Sequence, residues 1–324
     1  MEFLKGKSLF VVNSPFQCLC MLEAISYFKI TDYNVLISYL DNTSTPMVEK
    51  LLKEKKIKYS KTHFNHIVKS IFPLIFKPHR RYKNIFLGYY YNYCDLAAAY
   101  IYGAFRGQIY YLDDGIQAYE IFSDNPRKRF RNTITFIIFL YKIIGMIKMM
   151  PKEKFFTIYD VQSKEIEIIR NPFNCLICTN EETRKDIYII GTNTDIIKFS
   201  NHSYFDYLIS INKIIRDKYP NDDVYYCPHR RDSNNSKIFN FCKQNGISIF
   251  HTTISVEYDF AITGIYPRII IGFNSNALYT LHFMFKNAEV YTVEYDTIPE
   301  TRNKETKLLR KKLNDVGIKS LQLF

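Results

Sequence analysis

Four short stretches of this chain carry side chains that could do chemistry, and each sits where an apolar run gives way to a polar loop. Asp113-Asp114-Gly115 places adjacent carboxylates after such a run. Their mutual repulsion, with partial burial, raises one pKa and makes a general base. His229 and Arg230 follow Cys227-Pro228, with Arg231 and Asp232 behind them. Imidazole beside guanidinium groups suits a phosphate or carboxylate. Ile254-Ser255-Val256-Glu257 brings a carboxylate to a helix start, where it can hydrogen-bond a ribose diol. Gly272-Phe273-Asn274-Ser275-Asn276 leads small hydrogen-bonding side chains into a helix N-terminus, a phosphate site without a Walker loop.

Each stretch also has a plainer meaning. An Asp-Gly pair is commonly a turn, and a charge run is commonly a solvated loop. Ser255 can simply cap a helix whose dipole Glu257 favours. Singly, the plainer meaning is the commoner one. Together, a base, a cation, a ribose carboxylate and a phosphate-binding helix fit one ligand type, a sugar activated by a nucleotide.

The elements that must position these residues alternate along the chain. Residues 8–12 read as a buried strand, and Asn13-Ser14-Pro15 as a helix start with a cap followed by proline. Helices about 16–28 and 45–54, strands 33–39, 84–87 and 108–112, and an Ala-rich helix 95–105 follow. The stretch 55–82 is basic and poorly periodic, with a cationic cluster at Lys77, His79, Arg80, Arg81 and Lys83. Residues 151–184 read as a connector with one or two short strands. Alternation then resumes: strand 187–190, the loop Gly191-Thr192-Asn193-Thr194-Asp195, helix 204–218 and strand 224–226. Helix 236–244, strand 248–251, a short helix 257–263, strand 268–271, helix 275–285, strand 289–293 and a basic helix 303–313 complete it. Two runs of β-α alternation about a connector predict two doubly wound domains, 1–184 and 185–324, with one large α/β domain as the alternative.

Composition sets the partners. At 47% hydrophobic and 23% charged, the 324 residues are ordinary for a globular protein. A net charge of +12 favours nucleic acid, anionic lipid or phosphorylated substrates; no nucleic-acid module is present, so the latter two lead. Seven cysteines, mostly in apolar runs, read as reduced, buried thiols of a cytosolic protein. The pairs Cys175/Cys178 and His63/His66 each lack a second matching pair and read as structural. The N-terminus has too short an apolar core for a secretory signal. The apolar run 133–150, entered through Arg127, Lys128, Arg129 and Arg131, is broken by Lys142 and Lys148 and falls short of a membrane span. It reads as a buried or homodimer-forming helix, or as a helix lying on an anionic leaflet. The expectation is a cytoplasmic protein held peripherally on the inner face of the membrane, released by salt because surface charges are screened over ~10 Å at 0.1 M.

The order of the motifs resembles the bacterial two-domain sialyltransferases, especially the lipooligosaccharide sialyltransferases and the related capsule polysialyltransferases. Those enzymes carry an acidic-acidic-Gly motif, a His-Pro motif and a Ser/Thr-rich motif, in that order. Here Tyr111-Leu112-Asp113-Asp114-Gly115, Cys227-Pro228-His229-Arg230 and Asn274-Ser275-Asn276 are similar to them. Phe10-Val11-Val12-Asn13-Ser14-Pro15-Phe16-Gln17 resembles the polysialyltransferase N-terminus. Ile254-Ser255-Val256-Glu257 followed by Thr263-Gly264 resembles a segment of related sialyltransferases whose Glu holds the cytidine ribose. The likeness runs from Leu9 to about Leu278. Arg230 stands where the family has proline, with Pro228 before the histidine instead, and the Ser/Thr pair is Asn-Ser-Asn. Both departures bear on the donor and leave another nine-carbon acidic sugar as an alternative.

The resemblance implies a GT-B-type α/β enzyme, two doubly wound Rossmann-like domains facing a central cleft, with the acceptor mainly on the first and the donor mainly on the second. It implies inverting transfer of sialic acid from CMP-sialic acid to a glycan acceptor, a sugar hydroxyl of lipooligosaccharide or capsular polysaccharide. Asp113 would be the general base, supported by Asp114 and Gly115, with Asp195 a rival because some family members place a catalytic Asp after this strand. His229, with Arg230, would stabilise or protonate the departing phosphate. Glu257 would hold the ribose, Asn274, Ser275 and Asn276 the phosphate, and Gly191, Thr192 and Asn193 would line the donor side. Asn13, Ser14 and Gln17 would belong to the acceptor-side loop. No metal or other cofactor is expected, because a CMP-linked sugar leaves a monophosphate. A non-catalytic protein that binds anionic polysaccharide at the membrane face is the alternative from another class.

Overall fold

The computed structural model describes residues 4–38, 42–61, 82–88, 107–115, 153–164, 166–174, 186–193, 198–199, 202–230, 235–273, 275–295, 297–298 and 300–324. Several expectations lie outside them: Asp195, Asn274, Arg231 and Asp232, the Cys175/Cys178 and His63/His66 pairs, helix 95–105 and the apolar run 133–150. The chain divides into two compact units, Met1–Cys175 and Leu176–Phe324, each built on its own parallel sheet.

The first unit runs β1 (Ser8–Val11), α1 (Pro15–Tyr27), β2 (Tyr33–Ile37), α2 (Ser44–Glu54), β3 (Tyr59–Lys61), β4 (Asn84–Leu87), β5 (Gln108–Leu112), β6 (Glu153–Thr157) and β7 (Glu167–Arg170). The sheet order is β3-β2-β1-β4-β5-β6-β7, with every pair parallel. The chain therefore winds outward from β1, then reverses to continue from β4. Such a reversal is where open α/β sheets place their ligands. Ser14 caps α1 by accepting from the Gln17 amide, and Pro15 occupies the first turn, where its missing N–H costs nothing.

One face of this sheet is an aromatic ladder. Phe10, Phe86 and Tyr110 occupy the same register on β1, β4 and β5, with ring centroids 4.4 and 4.6 Å apart. Phe28, at the end of α1, and Phe156, on β6, close over them. Each aromatic pair adds about 0.5–1.5 kcal/mol beyond its buried area. The short strands expected within the connector 151–184 are β6 and β7, and because Phe155 and Phe156 are fully buried beside β5 they extend the first sheet.

The second unit runs β8 (Asp186–Ile190), β9 (Lys198–Phe199), α3 (Tyr204–Lys218), β10 (Asp223–Cys227), α4 (Ser236–Gln244), β11 (Ser248–Ile249), α5 (Val256–Thr263), β12 (Ile269–Gly272), α6 (Asn276–Met284), β13 (Glu289–Val293), β14 (Thr297–Ile298), α7 (Glu300–Asp315) and β15 (Lys319–Leu321). Its main sheet has the order β11-β10-β8-β12-β13-β15, again parallel throughout. The winding reverses between β8 and β12. Ile187, Ile189, Val224, Tyr226, Ile269 and Ile271 bury one face against Tyr204, Leu208, Ile211 and Ile238 of α3 and α4. Helix ends follow local sequence: Ser203 and Asp206 form a reciprocal capping box on α3, and Gly264 ends α5 in the left-handed region.

Candidate functional site

Since all main strands of the second sheet run the same way, the loops leaving β11, β10, β8 and β12 emerge side by side on one edge. Glu257 follows β11, His229 and Arg230 follow β10, Gly191-Thr192-Asn193 follows β8, and Ser275-Asn276 follows β12. Residues scattered over some 85 positions of sequence thus occupy four consecutive strand ends about the reversal point.

The β8 loop is built for close approach. The Gly191 amide donates to the Cys227 carbonyl at 2.8 Å. A Cβ there would collide with the Tyr226 hydroxyl and stand 2.9 Å from that carbonyl. Thr192 and Asn193 beyond it are buried. Gly272 acts likewise at the end of β12, where a Cβ would come within 2.9 Å of Leu278 and 3.2 Å of Ile190. Its absence lets the first turn of α6 settle onto the sheet edge. Ser275 caps that helix, its Oγ accepting from the Ala277 amide at 3.2 Å and keeping its own proton to donate. Asn276 Oδ1 is buried and accepts no hydrogen bond from the described residues.

Glu257 is only 6% exposed. Burial raises its pKa above the ordinary carboxylate range, while its own amide, the Ser255 hydroxyl and the positive charge of Arg230 pull it back. Glu257 and Arg230 are thus electrostatic neighbours across β10 and β11, and His229 beside them is half-buried. Sequence reasoning overlooked Asp259. Its carboxylate accepts from the Thr253 amide at 2.5 Å, the Thr253 hydroxyl at 2.7 Å and the Ile254 amide at 3.1 Å. This fixes the loop from which α5 and Glu257 start. The signal available was a second carboxylate one turn into a Ser-capped helix.

In the first unit the base candidate stands just past β5. Asp113 is fully buried; Oδ2 accepts from the Ile158 amide at 2.8 Å, and Oδ1 accepts no hydrogen bond from the described residues. Burial pushes its pKa up to about 7, against the Thr157 hydroxyl, the Ile158 amide and the Arg170 charge, which hold it down. Asp114 raises it further, but as the least of these causes, so of the two effects expected, burial outweighs like-charge repulsion. Gly115 turns the chain with φ 73°, the left-handed region that glycine enters freely. A carboxylate that titrates near neutrality and keeps one oxygen unbonded can take a proton from a hydroxyl.

Asn13, Ser14 and Gln17, expected on the acceptor side, make hydrogen bonds within the first unit. Asn13 exchanges hydrogen bonds with Ser38 past the end of β2, through Oδ1 and Nδ2 at 2.9 Å each. Gln17 Oε1 accepts from the Asn13 amide at 2.6 Å, and its side chain lies so close to Gly88 that no Cβ fits there. Asn13 and Gln17 thus link the ends of β1, β2 and β4, while Ser14 caps α1. Among the described residues no three His, Cys, Asp or Glu converge to hold a metal ion, and no helix is long and apolar enough to cross a membrane. Cys18, Cys20, Cys227 and Cys242 are buried free thiols.

No protein-family model matches the sequence, and no curated protein matches it either. Solved structures do resemble the fold. An α/β-galactoside α-2,3-sialyltransferase from the luminous marine bacterium Photobacterium phosphoreum superposes with a TM-score of 0.56 at 12% identity, over 98% of both chains. A 2,6-sialyltransferase from Photobacterium sp. JT-ISH-224, solved with donor product CMP and acceptor substrate lactose, gives 0.54 at 15% identity, over 98% of this chain and 78% of that one. At such identities the likeness is one of fold: two parallel α/β sheets with flanking helices, the architecture of the GT-B glycosyltransferases.

Proposed function

We propose that this protein is an inverting glycosyltransferase that moves sialic acid from CMP-sialic acid to a sugar hydroxyl of lipooligosaccharide or capsular polysaccharide. The observation that carries the reading is Asp113, a buried carboxylate with a pKa of about 7 and an unbonded oxygen at a parallel-sheet edge. Asp113 takes the acceptor's proton as its oxygen bonds to the anomeric carbon. The bond from that carbon to the phosphate oxygen breaks on the opposite side, and CMP leaves with the electron pair. His229, helped by Arg230, meets the developing phosphate charge, and the α6 N-terminus with Ser275 adds donors in place. Glu257 holds the ribose diol. The fold shared with two sialyltransferases supports the same reading.

Arg230 in place of the family's proline, with Asn274-Ser275-Asn276 in place of a Ser/Thr pair, favours a second reading in which another nine-carbon acidic sugar is the donor. The deciding experiment follows CMP release by the purified protein from CMP-sialic acid and from other CMP-linked nonulosonic acids, over a panel of galactosides and sialosides. No release from any donor, with no stabilisation by CMP over other nucleotides, would leave only a polysaccharide-binding protein. Transfer is proposed to need no divalent metal, since the leaving monophosphate has less charge to neutralise than a diphosphate. Activity lost to EDTA and restored by Mn²⁺ or Mg²⁺ would overturn that point and Asp113 as base.

A further inference from the structure

Two buried polar atoms at the first sheet's edge meet no partner among the described residues, and a single peptide group links the residues that carry them. The Ile158 amide donates to Asp113 Oδ2 at 2.8 Å, while the Thr157 carbonyl, the other half of that peptide group, accepts from the Asn171 amide at 2.7 Å. Asp113 therefore stands on the β5 side of this group and Asn171 on the β7 side. Asp113 Oδ1 accepts no hydrogen bond from the described residues, and Asn171 Nδ2 donates none to them. Asn171 is only 2% exposed.

The carboxamide of Asn171 is oriented by its own turn. The Phe173 amide donates to Asn171 Oδ1 at 3.0 Å. A flipped carboxamide would set N–H against N–H, so the oxygen is spent here and the nitrogen, with its two protons, faces away. Phe173 is itself held, buried with its ring 6.3 Å from that of Phe16 on α1. Buried polar groups in folded proteins nearly all find a partner in protein, water or ligand. A donor and an acceptor left over side by side fit a ligand that offers both, and hydroxyl groups do. Pro172 beside Asn171 is exposed and Asp114 beside Asp113 is half-buried, so the pair lies directly beneath the surface.

We propose that Asn171 binds the acceptor sugar: its Nδ2 donates to the hydroxyl next to the one whose proton Asp113 takes. The inference rests on the reading of Asp113 as base. Contacts on either side of a peptide group suit two adjacent oxygens of a sugar ring better than one. A donor on the neighbouring oxygen also leaves the attacking lone pair free. Asn171 would thus orient the acceptor and discriminate against sugars that lack this hydroxyl.

The first test needs no transfer. Protein labelled with ¹⁵N-asparagine is titrated with methyl β-galactoside and with a methyl sialoside. The Asn171 side-chain NH₂ signal is assigned through Asn171→Ser, which keeps an oxygen for the Phe173 amide; if that variant does not fold, Asn171→Asp serves for the assignment. A saturable shift of the signal with one of the sugars, lost with its analogue deoxygenated at one ring position, is the expected result. No shift with either sugar, or the same shift with every deoxy analogue, overturns the inference and leaves the pair to a buried water. In transfer, Asn171→Ser should raise KM for the acceptor by about three- to tenfold, the worth of one neutral hydrogen bond, with kcat and the KM for donor little changed. The variant and the deoxy acceptor remove the same bond, so their penalties should not add; fully additive penalties overturn the contact. Full transfer by Asp113→Asn would instead sink the base assignment, leaving the Asn171 shift to stand by itself.

Discussion

The Gly191 amide donates to the Cys227 carbonyl at 2.8 Å, tying the end of β8 to the end of β10, next to the gap between β8 and β12 where the second sheet's winding turns back. The bond holds the β8 loop beside the strand that delivers His229. It works because Gly191 has no side chain: the Tyr226 hydroxyl fills that space and is itself paired with the Tyr204 hydroxyl at 2.7 Å. Gly191→Ala should therefore destabilise the protein by about 1–3 kcal/mol, the usual cost of forcing a group into a filled core. Urea unfolding checks it. An unchanged midpoint would mean that Tyr226 moves aside freely.

Glu257→Gln should weaken CMP binding by about ten- to a hundredfold, the worth of a hydrogen bond to a charged group, with a smaller effect on turnover at saturating donor. The buried Glu257 keeps Arg230 as an electrostatic neighbour, so removing its charge also unbalances that pair. Calorimetric titration with CMP measures the loss. Equal CMP affinity in the two proteins would remove Glu257 from the donor site.

Most helices and central strands were legible because their signals are local. Ser14-Pro15, Ser203 with Asp206, and Ser255 with Gly264 mark helix ends by side chains that act within one turn. The runs 109–112 and 269–271, feeding Asp113 and Gly272, are apolar or aromatic and buried on both faces. What escaped was non-local. Strand β3 (Tyr59–Lys61) and strand β15 (Lys319–Leu321) lie at sheet edges, half-buried or exposed, and carry no apolar run. Asp259 is ordinary in sequence; its importance comes from the partners it finds in the loop before α5. Nor does anything local reveal that Ser38 and Gly88 meet Asn13 and Gln17.

His229→Ala should lower turnover by about 10²–10⁴, the range of a general acid, while CMP still binds through Glu257 and the start of α6. The imidazole is half-buried at the end of β10, so its loss opens no large core cavity. Steady-state kinetics beside CMP titration separates the two effects. Near-normal turnover would take His229 out of the mechanism.

Asp113 predicts a dependence of stability on pH that needs no substrate. Its pKa is about 7 when folded and ~3.9 in an unfolded chain. Between those values the folded protein keeps a proton that the unfolded chain has released. Stability from this group is thus complete below about pH 4, falls as pH rises toward 7, and is flat above. The full loss at pH 8 is a few kcal/mol at most. Asn at this position carries no charge and escapes the loss. Asp113→Asn should therefore gain stability relative to the native protein as pH rises from about 4.5 to 8, while transfer falls by about 10²–10⁴. Urea unfolding of both proteins at the two pH values is the measurement. A stability difference that stays constant with pH would show that Asp113 ionises without penalty in the fold, and a carboxylate of ordinary pKa would be a poor base for a sugar hydroxyl.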